Sequence, residues 1–335
     1  MINIYGIGNA LVDTEIQVSD EELKNLNIEK GTMTLVDFDQ LQTILAHFKD
    51  KQKKEACGGS AANTIIGATQ LGTSGFYTCK VANDTRGLFY TEDLSSNHVS
   101  TKLDKEALPS GSTGICLVLI TPDAQRTMCT YLGISAEFST RNIDEEKLKS
   151  SEYLYIEGYL VSSETGLDAA VHAKEIAKKS NVKTVLTLSD PNMVRFFRDG
   201  FEKITAGGVD LIFCNEEEAL TFTETNSVEE ALEKLKPIAK TAAITLGENG
   251  ALVYDGEKAI NIAAHQVTAL DTTGAGDLFA AGFLSALCHG KSYEEAGKVA
   301  SFASSRVVTH FGPRLNTETL SEVQSFYKET HTLSL

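Results

Sequence analysis

From Ile2 onward, short apolar runs rich in β-branched residues alternate with helical patterns for most of the 335 residues. Ile2–Gly8, Gly75–Val81, Tyr153–Ile156, Thr184–Leu188, Val209–Cys214 and Ala242–Thr245 read as strands. Ser60–Leu71, Asp84–Ser96, Thr165–Lys179, Glu216–Thr223 and Val228–Leu235 read as helices between them. Strands of this kind are buried on both faces, and helix-length connections join them in parallel. The pattern therefore predicts an α/β domain with three layers, helices covering both sides of a mostly parallel sheet. Helical patterns at Gly274–His289, Tyr293–Val308 and Thr317–Thr330 close the chain.

Two segments interrupt the alternation. Residues 12–37 and 112–131 read as strand-rich with few helix signals, and the turn Thr121-Pro-Asp-Ala-Gln125 joins two runs as a hairpin. We read them as one small β-sheet added to a single domain spanning 1–335 and serving as a lid; extra edge strands of the main sheet are the other reading. Composition narrows the partners. With 46 Asp+Glu against 30 Lys+Arg the net charge is −16. That repels polyphosphate and anionic lipid, so neither nucleic acid nor a membrane surface is expected as a partner. No apolar run is long enough to span a membrane. The start of the chain has no secretion signal, and the six cysteines are scattered without a Cys-x-x-Cys pair, so a cytoplasmic protein is expected.

The segment Asp271-Thr-Thr-Gly-Ala-Gly-Asp277 carries the strongest chemical signal. Glycine costs about 1 kcal/mol against alanine in a helix, so Gly274 and Gly276 at a helix start need a reason. Bare backbone there offers free N–H groups and the positive end of the dipole, which is an anion site. Asp277 in the same turn suits a base that takes a proton from an attacking hydroxyl. Ala280, Ala281 and Gly282 allow this helix to pack closely. A second segment, Cys57-Gly-Gly-Ser-Ala-Ala-Asn-Thr64, opens another helix at a Gly-Gly pair and places Ser60 and Asn63 on one face, suited to a polyol or to a simple hinge and cap. Asp13, after the first strand, can accept two adjacent hydroxyls. Gly6-Ile-Gly8 is not a dinucleotide fingerprint, because its third glycine is Leu11. Gly290-Lys-Ser292 is not a P-loop, because Ser285 stands where that motif needs glycine.

Gly58-Gly59-x-x-x-Asn63 followed by Asp271-Thr-x-Gly-Ala-Gly-Asp277 resembles the two signatures of the ribokinase-like (PfkB) carbohydrate kinase family, over nearly the whole chain. Gly8-Asn-Ala-Leu-Val-Asp13, Arg126-Thr-Met-Cys-Thr-Tyr-Leu-Gly133, Tyr155-Ile-Glu-Gly-Tyr159 and Asn215-Glu-Glu-Glu218 resemble its adenosine-kinase-like branch. The resemblance implies a three-layer α/β/α ribokinase-like domain with a small β-sheet lid, and transfer of the ATP γ-phosphate to a primary hydroxyl of a nucleoside, adenosine first, or of a sugar such as fructose or ribose. It makes Asp277 the base, the Gly274, Ala275 and Gly276 amides the anion hole, and Arg126 a lid arginine that reaches the phosphate. Asp13, Gly58, Gly59 and Asn63 would contact the acceptor. Thr245, Gly247, Gly250 and Asn192 would line the nucleotide site.

The resemblance further implies that Asn215 and Glu218 hold Mg2+ through waters, although these two residues read by themselves as a helix cap. Members of the family often bind K+ beside the anion hole; here Asp271 and Thr273 would contribute, with residues 304–312 opposite. Met33, Leu35 and Met128 are placed to form an apolar slot for a purine. A monomer and a homodimer joined through the lids both fit. The reading from another class is a nucleoside-binding sensor without catalysis.

Overall fold

The computed structural model describes residues 2–123 and 125–332. Nine strands form the main sheet, in the order 259–262, 251–254, 239–245, 209–215, 183–187, 151–156, 2–7, 75–78 and 100–101. All neighbours from Ala239–Thr245 to Ser100–Thr101 pair parallel; the two strands at the other edge pair antiparallel. That antiparallel edge, Ala251–Tyr254 and Ala259–Ile262, is absent from the sequence reading. Alternation along each strand divides the core. Ile4 and Leu211 join the cluster under the helices Ser60–Gln70, Ala275–Cys288 and Tyr293–Val307, while Tyr5, Ile7 and Ile212 join the cluster under Glu164–Lys179 on the opposite face.

A second sheet of five strands runs in the order 33–35, 126–131, 114–120, 11–17 and 53–58. Gly114–Ile120 and Arg126–Tyr131 form the expected hairpin. The outer strand Lys53–Gly58 lies beyond the two segments read as strand-rich; Lys53, Lys54 and Glu55 are exposed and leave no alternating apolar signal. Residues 12–37 also hold a helix, Asp20–Asn25, closed by a capping box between Ser19 and Glu22. Period-two alternation gives this sheet two functions. Ile115, Leu117 and Leu119 pack with Leu23 from the helix Asp20–Asn25, with Leu41 and Ile44 from the helix Phe38–His47, and with Phe48, which caps that helix. Cys116 and Val118 point the other way, with Leu11 and Met128 against them.

Small residues bring the site-bearing helices together. A Cβ on Gly67 would lie 2.9 Å from the Ala281 methyl, and one on Gly282 would lie 3.1 Å from the Ala300 Cα. The helix Ala275–Cys288 is thus wedged between Ser60–Gln70 and Tyr293–Val307, which fixes its N-terminus beneath the small sheet.

Candidate active site

The carboxyl ends of five parallel strands converge on one cavity of about 450 Å³. Asn9, Glu157, Thr187, Asn215 and Thr245 line it from the main sheet. Leu11, Asp13, Met33, Leu35, Val118 and Met128 close it from the small sheet, which puts the three residues of the expected apolar slot in its lining. A neighbouring cavity of about 530 Å³ is lined by Gly250, His265, Val267, Ser304 and Val308. The two share Thr245, Gly247, Thr272, Ala275, Gly276 and Phe279. They therefore meet at the start of one helix.

That start has no side-chain cap, and neither has the helix that faces it. Most helices here are capped by a side chain, among them those after Ser19, Asp37, Asp84, Ser163 and Ser292. Ser60–Gln70 and Ala275–Cys288 begin instead at Gly59 and Gly274, with φ of 97° and 80°. Their first-turn N–H groups remain open to other acceptors. Glu157 takes one from each side of the Ser60–Gln70 entrance: Oε2 accepts from Ala61 N at 2.8 Å, and Oε1 accepts from Asn9 N at 3.1 Å.

Asp277 sits in the first turn of its helix and is half-buried. Ser60 Oγ donates to Oδ1 at 2.6 Å and Asn63 Nδ2 donates to Oδ2 at 3.0 Å. Burial pushes its carboxyl up to about 6, against the lowering effect of these two bonds and of the Arg314 charge. A carboxylate that is poised there, beside open amides, can accept a proton near neutral pH. Asp13 is pushed up to about 7, chiefly by burial and against the Arg314 charge. Its carboxylate lies where a Cβ on Gly58 would be, at 2.4 Å, which is why the first of the paired glycines must be glycine. Gly59 is required for another reason, its positive φ. Burial also raises Glu157 and Glu218 to about 7.

Arg126 Nη2 donates to Asp271 Oδ2 at 2.5 Å, and Arg126 Nη1 lies 3.5 Å from Glu15. The small sheet is thereby pinned to the loop before the glycines. Asp271 also accepts from Thr273 N at 3.0 Å and Gly312 N at 2.8 Å. Asn215 and Glu218 form a capping box, with Glu218 N donating to Asn215 Oδ1 and Asn215 Nδ2 donating to Glu218 Oε1, both at 2.8 Å; both residues also line the first cavity. The cap is thus formed, and both residues border the cavity.

The structure brings most of the sequence candidates to these two cavities and leaves three outside their lining. Asn192 is spent locally, its Oδ1 accepting from Arg195 Nη1 at 3.0 Å. Gly58 backs Asp13, and Asp271 stands behind the glycine loop. Two residues escaped the sequence reading. Glu157 sat in a quoted motif without a role. Arg314 follows Gly312-Pro313 and donates from Nε to Asn63 Oδ1 at 2.9 Å and from Nη1 to Asp93 Oδ2 at 2.6 Å.

Two clefts that meet at an uncapped helix start, with a carboxylate on one side of the junction, have the layout that phosphoryl transfer to a hydroxyl group needs, and the relatives of the chain make it an ATP-dependent kinase. Residues 31–320 match the pfkB family of carbohydrate kinases, and the chain belongs to that family. It is similar to the crystal structure of adenosine kinase from Sinorhizobium meliloti, with a TM-score of 0.90 and 34% identity over 97% of this chain and 99% of that one. It is similar to a probable sugar kinase from Rhizobium etli, with a TM-score of 0.89 and 32% identity over 97% and 98% of the two chains. Adenosine kinase 1 of Arabidopsis thaliana is 26% identical over 332 residues, covering 92% of this chain and 94% of that protein. These likenesses agree with the adenosine-kinase-like branch. Among the described residues no helix is long and apolar enough to cross a membrane.

Proposed function

We propose that the chain transfers the γ-phosphate of ATP to the primary hydroxyl of a nucleoside, adenosine first. The observation that carries this reading is the junction at Ala275 and Gly276, where the cavity holding Asp277 opens onto the cavity holding Gly250 and His265. The acceptor lies in the first cavity, with its ribose hydroxyls toward Asp13, Gly59 and Asn63 and its base toward Met33, Leu35 and Met128. Thioether and aliphatic groups fill irregular space and favour a flat apolar base over water. ATP lies in the second cavity along Thr245, Gly247 and Gly250. The transferring phosphate sits on the Gly274, Ala275 and Gly276 amides, and Asp277 takes the hydroxyl proton. The small sheet excludes water, and Arg126 stands next to the anion loop with its charge shared by Asp271 and Glu15, from where it would reach the phosphate. Similarity to a probable sugar kinase supports a sugar as the second acceptor class.

Turnover measured with ATP against a panel of nucleosides and sugars tests the proposal. Adenosine is expected to give the highest kcat/KM. Phosphorylation of a sugar and of no nucleoside would overturn the acceptor, and tight nucleoside binding without any turnover would leave a sensor in place of an enzyme.

Glu218 is a buried carboxylate raised toward neutrality beside Asp190, whose carboxyl burial also raises. Such an under-compensated acidic corner fits a hydrated Mg2+ held by Asn215 and Glu218, which when bound would neutralise phosphate charge. ATP is accordingly expected to bind at least about 10-fold more weakly in chelator, a ratio of about 1.4 kcal/mol; calorimetric titration giving equal affinity with and without magnesium would remove this assignment. K+ beside Asp271 and Thr273 is supported by the closeness of the opposite stretch, where Val308 O accepts from Leu270 N at 2.8 Å. Initial rates in potassium are expected to exceed those in a bulky organic cation, and equal rates would dismiss the site. The charged outer strand at Lys53–Glu55 disfavours sheet-to-sheet pairing, which supports a monomer. The described cysteines are free thiols, five of the six buried, in keeping with a cytoplasmic place of work.

A further inference from the structure

Residues 312–314 wrap behind the active site and touch it at three points. Gly312 N donates to Asp271 Oδ2 at 2.8 Å. Pro313 backs the glycine loop so closely that a Cβ on Gly274 would lie 2.3 Å from the Pro313 carbonyl oxygen. Arg314 bridges Asp93, on the helix Thr85–Ser96, to Asn63, on the helix Ser60–Gln70. Asn63 is 4% exposed, and among the described residues its amide hydrogen-bonds to two groups, the Arg314 guanidinium and the Asp277 carboxylate.

An amide can face either way, and its orientation follows from its partners. A guanidinium only donates, so the Asn63 atom that meets Arg314 must be the carbonyl oxygen. The atom left for Asp277 is then the NH2 group, which can only donate. Asp277 is thus offered a fixed donor on Oδ2, and its other oxygen is held by Ser60. Arg314 in turn is held by Asp93, so its fork cannot follow Asn63 if that side chain turns.

We propose that Arg314 is a positioning residue for phosphoryl transfer: it locks the Asn63 amide, and through it the orientation and charge state of the Asp277 carboxylate. This rests on the kinase reading above. The charged and titratable groups around Asp277 are Arg314 from the C-terminal strap, Asp13 from the small sheet, Glu157 and Tyr155 from the main sheet, and Tyr159 from the turn Gly158–Ser162. Arg314 is the cation in this set that lowers Asp277, so its loss must move the carboxyl upward.

The test compares Arg314→Met, Arg314→Lys, Asn63→Ala and the Arg314→Met/Asn63→Ala double variant with the wild-type chain. Each of the three single variants is expected to lose about 10-fold or more in kcat with the ATP KM changed less than about threefold, and the double variant is expected to be no slower than the slower of its two component singles. In Arg314→Met the acid limb of kcat/KM moves to higher pH. In Arg314→Lys the limb stays in place, because the charge remains, while kcat still falls, because a freely rotating ammonium lacks the rigid planar fork that fixes the Asn63 amide from Asp93. The Asp277 carboxyl resonance in 13C-aspartate-labelled free protein, assigned by its loss in Asp277→Asn, should report the same upward move without any substrate. Additive losses in the double variant, an unmoved Asp277 titration in Arg314→Met, or a wild-type kcat in Arg314→Lys would each overturn the proposal. Should Arg314→Met not fold, the kcat of Arg314→Lys decides alone. A wild-type chain that phosphorylates no acceptor defeats the kinase reading, and the titration then decides whether Arg314 sets the state of Asp277.

Discussion

Replacing Asp277 by asparagine is expected to lower kcat at least about 10²-fold while the KM values for ATP and acceptor stay within several-fold of wild type. The substitution keeps shape and hydrogen bonding. The new amide oxygen can accept from Asn63 Nδ2, and its NH2 can donate to Ser60 once that hydroxyl turns. What it removes is the capacity to take a proton. The pH dependence follows with a definite sign. Asp277 acts as a base only when ionised, so kcat/KM falls as pH drops through about 6. Asp13 and Glu157, both raised to about 7, titrate close by, so the limb belongs to a coupled set. The same substitution is expected to raise the melting temperature at neutral pH, because a carboxyl whose folded value lies above its unfolded one costs stability once ionised. A variant with near-normal turnover would remove the base assignment.

Gly274→Ala is the second change expected to act strongly, and its effect is steric. The residue has a φ of 80°, in the left-handed region where a side chain is strained by roughly 1 kcal/mol or more. Its Cβ would also sit 2.6 Å from the Pro313 Cα, and backbone on that side cannot yield as a side-chain tip does. The glycine loop must therefore shift, and a displacement of about 1 Å in a positioning loop can cost on the order of 10² in rate. A loss of at least that size is expected in kcat, with a lower melting temperature. Gly276→Ala is the control. A Cβ there meets nothing within 4 Å and the residue has helical backbone, so the fold should keep its melting temperature. A rate loss in Gly276→Ala then reports crowding of the transferred phosphate alone. Equal melting temperatures and rates for Gly274→Ala and wild type would show that the strap does not fix this loop.

The contrast between these positions explains what the sequence disclosed. The anion loop is built from backbone, and backbone sites demand glycine at fixed places in a helix start, so residues 271–277 and 58–63 could be read directly. Six of the seven parallel strands were legible because both faces are buried, whereas Ser100–Thr101 is two residues long and partly exposed, and carries no such signal. The helix Asp20–Asn25 has one buried residue, Leu23, and too short an apolar face to register, although its capping box was written in Ser19 and Glu22. Lys53–Gly58 is half exposed and charged, so no alternation marks it as a strand, and it is Leu11–Gln17 that pairs with it. Glu157 and Arg314 reach the site through tertiary contact. Arg314 meets Asn63 across 251 positions, and a single arginine after a proline carries no local mark of that encounter.

Four carboxyls around the first cavity, Asp13, Glu157, Glu218 and Asp277, all lie above their ordinary range for the same reason, burial. Folding is opposed by each of them as pH rises through its folded value. Substrate hydroxyls that donate to Asp13 or Asp277, and a cation near Glu218, would relieve that opposition, and any ligand preferring the folded chain stabilises it by mass action. Durability is thereby linked to supply: the protein is hardest to unfold when its substrates are abundant, and a depleted pool leaves it the more exposed to proteolysis.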